Sequence, residues 1–248
     1  MKRALSLPLF LAAVTASTTA RADYEAWLWL ENRVPVLRAD TPSFPRIDLR
    51  LVTDVRLNGR SGGLAQSFFR VGPLFYLTNF LMIGVHGTIY ADRLASGAFD
   101  QEARFELEPN LFGRLGDFTF NDRNRFEARF RESGTRYRYR NQLRINYAPK
   151  GARWIPFIWD ELLVDLSGLG VNQNRAQVGL GRQLWSNVRL DVGVMLRSRE
   201  EAAGWVHDRI ANVYLYIDVP PLPAPPRAPP VPPRRMPDPP IAPDLPTK

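Results

Sequence analysis

Arg123, Arg125, Glu127, Arg129 and Arg131 occupy every second position of one stretch, and Arg136, Arg138, Arg140, Gln142 and Arg144 do the same in the next. A guanidinium is planar and always charged, and it can hold a carboxylate through two parallel hydrogen bonds. Carboxylates at the same spacing lie on either side. Glu102, Glu106 and Glu108 come before, with Arg104 among them, and Glu161 and Asp165 follow. Like charges directly opposed on neighbouring strands destabilise a sheet unless neighbours compensate them. The spacing therefore predicts one charge network built from these fifteen charged residues. Such a network can rigidify an interior or line a narrow pore that favours anions, as rings of arginine do. Arginines at a rim can also contact lipid phosphates.

Other chemistry is sparse. The chain has two histidines and no cysteine, so disulfides and cysteine-based metal sites are excluded. A Ser-His pair on an outer barrel wall could hydrolyse a lipid ester, with the imidazole as base. His86 is the candidate for that base, but no serine stands in a motif that would pair with it. Its plain structural reading is a lumen or rim histidine satisfied by a neighbour. His207 precedes Asp208 and reads as a solvated turn residue. Asp160 and Glu161 are adjacent, so a strand points them to opposite faces and they form no dyad. The expected protein is not an enzyme and carries no cofactor and no metal.

The elements that must position these charges follow from the same period of two. Successive side chains of a strand point to opposite faces. Opposite the arginines of the first stretch lie Asn124, Phe126, Ala128 and Phe130. Opposite those of the second lie Tyr137, Tyr139, Asn141, Leu143, Ile145 and Tyr147. Ser133-Gly134 between them reads as a hairpin turn. The alternation recurs through eleven segments, near 24–34, 46–57, 65–77, 79–91, 101–112, 117–131, 136–147, 156–167, 173–183, 187–198 and 208–218. Most run ten to fifteen residues. That suits a tilted transmembrane strand of about 9–11 residues better than the 5–6 common in soluble sheets. The fold expected is all-β, an antiparallel up-and-down transmembrane barrel of about 10–12 strands. Single-chain bacterial barrels are normally even-numbered with both ends in the periplasm, so 10 or 12 is expected rather than eleven. Ten or more strands enclose a lumen too wide for an apolar filling without a large ligand. The charges are therefore expected inside and the apolar face outside, with Tyr137 and Tyr147 at the two membrane interfaces. The opposite arrangement would be a soluble periplasmic barrel around an apolar ligand.

The ends of the chain differ from its middle. Lys2 and Arg3 precede an apolar run too short to span a bilayer, and Ala20-Arg21-Ala22 gives a small-x-small cleavage site. Residues 1–22 are expected to be a signal peptide, 23–219 the barrel, and 220–248 a disordered Pro-rich tail. The tail holds 14 of the 22 prolines, which lack the donor a ladder needs and favour polyproline II. The formal charge is +8. Setting aside three basic residues in the leader and a net of two in the tail leaves about +3 for 23–219, with acids interleaved. A nucleic-acid binder shows a concentrated basic surface, so nucleic acid is not an expected partner.

The run Asn121-Asp122-Arg123-Asn124-Arg125-Phe126-Glu127-Ala128-Arg129, followed by Arg136-Tyr137-Arg138-Tyr139-Arg140-Asn141-Gln142-Leu143, resembles a family of predicted bacterial outer-membrane β-barrel proteins catalogued as a domain of unknown function. A weaker second likeness is the Gly-rich pair Arg175 to Gly181 and Arg189 to Gly193. The resemblance covers most of 23–219 and implies an outer-membrane barrel with no established activity. The Pro-rich extension departs from the family pattern. The expected role is structural, or that of a narrow passive pore. Outer-membrane lipids and the barrel-assembly machinery are the expected partners; the tail reads as an inert, semi-rigid spacer or, alternatively, as a tether to a periplasmic partner or the cell wall.

Overall fold

The structure is a computed structural model that describes residues 24–37, 46–58, 63–94, 96–168 and 170–220. The leader and nearly all of the Pro-rich tail lie outside the described residues. Eleven strands follow in order: β1 (Tyr24–Leu37), β2 (Arg46–Asn58), β3 (Gly63–Tyr76), β4 (Leu81–Arg93), β5 (Phe99–Leu115), β6 (Phe118–Arg131), β7 (Gly134–Tyr147), β8 (Trp154–Asp165), β9 (Gly170–Trp185), β10 (Val188–Glu201) and β11 (Gly204–Asp218). Each coincides with one of the eleven alternating segments. Among the described residues there is no helix. Each strand pairs antiparallel with the next, and the sheet closes into a barrel through β1 and β11.

The expectation of an even strand number is corrected. Eleven strands that alternate in direction leave the first and last running the same way. They pair in parallel, from Tyr24↔Arg209 to Arg33↔Asp218. Closure satisfies the backbone groups that two open edges would leave unpaired. The odd count also separates the start of β1 from the finish of β11. β1 begins at one mouth of the barrel, the entry end, and β11 finishes at the other, the exit end.

The turns follow local sequence. Between β6 and β7 only Glu132 and Ser133 intervene, and Gly134 takes φ +114°, a backbone angle that side-chain-bearing residues rarely adopt. Along most strands, burial alternates with the charge pattern, most cleanly in β2, β5 and β8. Arg70 and Glu106 are 0% exposed, whereas Ile89, Val178 and Val194 are 62%, 61% and 60% exposed. The charges face the lumen and the aliphatic and aromatic rows face out. The buried apolar residues also lie inside. Trp27, Phe157, Trp159, Met195 and Ile210 form one cluster. Val52, Phe68 and Tyr90 form a second, with Trp29 packed against it.

Candidate functional site: a charge-packed lumen

Register places like beside like. Arg104 lies opposite Arg129 and Glu106 opposite Glu127 across β5 and β6. Arg125 lies opposite Arg140 across β6 and β7. The compensation comes from diagonal neighbours, which long side chains reach. Arg129 donates to both oxygens of Glu102 at 2.8 and 2.7 Å, and Arg104 and Arg131 bind the same carboxylate. Arg125 donates from Nε to Glu108 at 2.6 Å. Arg140 reaches Glu127 at 2.9 Å on one side and Glu161 at 2.8 Å on the other. Glu161 also accepts from Arg123 at 2.8 Å and from Arg175 at 3.2 Å.

Several bonds skip strands and therefore cross the lumen. Arg50 of β2 bridges Glu31 of β1, at 2.7 Å, and Glu108 of β5, at 2.8 Å. Arg70 of β3 pairs with Glu106 of β5 at 2.8 Å. Thr88 of β4, lying between, accepts from Arg70 and donates to Glu106. Arg144 of β7 reaches Asp191 of β10. Together these pairs tie β1 through β10 into the interior.

Twelve of the fifteen predicted residues make these pairs. Three predicted members do not join as expected. Arg136 is exposed at the entry rim. Arg138 faces Asp165 in register, yet its buried Nε has no hydrogen-bond partner among the described residues. Asp165 instead accepts the backbone N–H of Ser167 at 2.7 Å. All three lie at the entry end, where the turn after β8 stays bonded to β7 through Leu166 N–H and Tyr137 O at 3.0 Å.

Sequence reasoning missed Glu31, Arg50, Arg70, Arg175 and Asp191 as members. Arg50 stood in an alternating row already visible in β2, with Arg46, Asp48, Asp54 and Arg56, and that row was the available signal. Arg70 gave none, because it is a lone charge between Phe69 and Val71.

His86 points into the lumen on the parity of Met82 and Tyr90, as its position implies. It is not satisfied by a neighbour, since neither ring nitrogen has a hydrogen-bond partner among the described residues. His207 instead pairs with a serine that sequence reasoning did not single out: Ser198 Oγ lies 2.9 Å from its Nδ1 on the outer wall near the entry rim. Among the described residues no third group orients that imidazole. Asp160 is exposed outside and Glu161 buried inside, as the alternation requires. No group of acids and histidines that could hold a metal ion occurs among the described residues.

Among the described residues the lumen keeps at least two cavities. One, of about 240 Å³, lies toward the exit end between Trp29, Arg50, Arg125 and Tyr216. The other, of about 310 Å³, opens at the entry end. Arg56, Tyr90, Arg140 and Arg175 line both, so a layer of guanidinium groups stands between them. Arg56 stacks over Trp27, 3.7 Å from the ring centroid, and Arg104 stacks beside the layer over Tyr90 at 3.4 Å. Both contacts hold a cation flat against an aromatic face.

Fold and interior define the class: a closed eleven-stranded β-barrel with an apolar outer wall and an Arg/Glu-paired lumen. The chain belongs to the family described as Protein of unknown function (DUF2490), whose model matches residues 26–208. No curated protein and no solved structure matches the chain.

Proposed function

We propose that the protein is an outer-membrane β-barrel whose packed interior serves as a structural core or a narrow passive pore, without enzymatic chemistry. The observation that carries this reading is the inversion of the two faces. A wall of exposed residues such as Phe105, Leu107, Ile158, Val178 and Val194 is costly in water but compatible with lipid, where a closed barrel satisfies every backbone group. The strands, 12 to 17 residues long, suffice to cross the hydrocarbon. Polar groups on that wall bond to one another: Tyr139 donates to Asn124 at 2.5 Å and Asn141 to Asp122 at 2.6 Å. The lumen ion pairs favour a small, largely filled barrel over a wide porin. Its partners are then the lipids of the outer membrane and the barrel-assembly machinery.

The test is fractionation of cells expressing the full chain, with heat-modifiable migration on a semi-native gel. Sedimentation with the outer membrane and a shift on boiling are expected. Recovery in the soluble periplasm would overturn the reading. Val194→Arg, a charge on the outward face, should destabilise the folded barrel in bilayers by about 2–4 kcal/mol if the site lies near the midplane, as read by urea titration of tryptophan fluorescence.

A further inference from the structure

We propose that the entry-end cavity is a binding site for a phosphate-type oxyanion. Eight arginines line it against two carboxylates, Glu25 and Asp92. Several carboxylates that pair with those arginines stand outside the lining: Asp54 takes Arg56, Glu127 reaches Arg140, and Asp208 takes Arg197, which also pairs with Glu25. Two others are each shared three ways. Glu161 takes Arg123, Arg140 and Arg175, and Glu102 takes Arg104, Arg129 and Arg131. A guanidinium carries five N–H donors, so one carboxylate serving three of them leaves donors over. Arg138 is the clearest case, since its buried Nε has no partner among the described residues and it lines the same space.

An anion with three or four oxygens can bridge several guanidinium groups through paired hydrogen bonds, which a spherical halide cannot do. At about 310 Å³ the space falls within the range of small-molecule sites. Arg104 and Arg56, braced on Tyr90 and Trp27, are held in place before any ligand arrives, and such preorganisation reduces the ordering cost of binding. The inference needs only the lumen geometry. Recovery of the chain in the soluble periplasm would defeat the membrane reading and leave this site standing.

The experiment is calorimetric titration of the refolded full chain in detergent with inorganic phosphate and with glycerol 3-phosphate, at ionic strength fixed with chloride. Saturable binding is expected, weakened about tenfold or more in Arg138→Gln and partly restored in Arg138→Lys. Arg46→Gln, at the opposite mouth, should bind as the unmodified chain does. Heat-modifiable migration checks that each variant is folded. Binding of both ligands assigns free phosphate as the source, and binding of glycerol 3-phosphate alone assigns a lipid headgroup. Absence of saturable binding, or equal affinity in Arg138→Gln, overturns the proposal.

Discussion

The arc from β5 to β8 and the arc from β9 through β11 to β1 enclose one lumen but fill it by different means. In the first, most inward positions of β5, β6 and β7 are arginine or glutamate, and long side chains pair across the register diagonal. In the second, Trp27, Met195 and Ile210 meet Phe157 and Trp159 from the neighbouring β8. Glycines face these bulky groups. A Cβ on Gly179 would run into the Phe157 ring, and one on Gly193 would lie 2.7 Å from the Val178 carbonyl oxygen and against the Gln177 amide. The common requirement is filled volume. Ion pairs meet it where each arginine finds a shared carboxylate, and rings opposite glycine meet it where charges thin out. Asn212 and Tyr214 illustrate the transition, both donating to the same Gln177 oxygen at 2.9 and 3.1 Å.

The largest effect is expected at the Arg70–Glu106 pair, which joins β3 to the charged arc. Arg70→Met removes the nearer cation of buried Glu106, leaving Arg125 at 3.6 Å, and should cost about 3 kcal/mol in urea unfolding. Replacing both partners, Arg70→Met with Glu106→Leu, should recover most of that loss, because an apolar pair of similar volume needs no desolvation of charge. A double variant no better than the single one would mean that the charged arc resists apolar filling, unlike its neighbour.

In the ring-and-glycine arc, Gly193→Ala should cost about 1–3 kcal/mol through overpacking, read by the same titration. A neutral result would show that β9 and β10 separate easily there. The smallest effect is expected at Arg136, exposed at the rim. Arg136→Ala should stay within about 0.5 kcal/mol, which would place the edge of the charged arc between Arg136 and Arg140.

Much of this barrel is legible from the sequence alone. Alternation from Arg123 to Tyr147 fixed two strands, their turn and the face each residue occupies, because side-chain direction in a strand depends only on parity. The same rule located all eleven strands and put Asp160 and Glu161 on opposite faces. That the sheet closes was legible, but the seam by which it closes was not. The even strand count expected of bacterial barrels gave way to a parallel β1–β11 seam, whose pairing joins segments from the two ends of the chain. Nor were the partners of individual charges legible. Arg50 and Glu108 are 58 residues apart and Arg70 and Glu106 are 36 apart, and their strands are not adjacent in the sheet. Parity is a local property that each residue carries with it. Which guanidinium meets which carboxylate across a lumen depends on register and curvature, and these exist only once the whole sheet has closed.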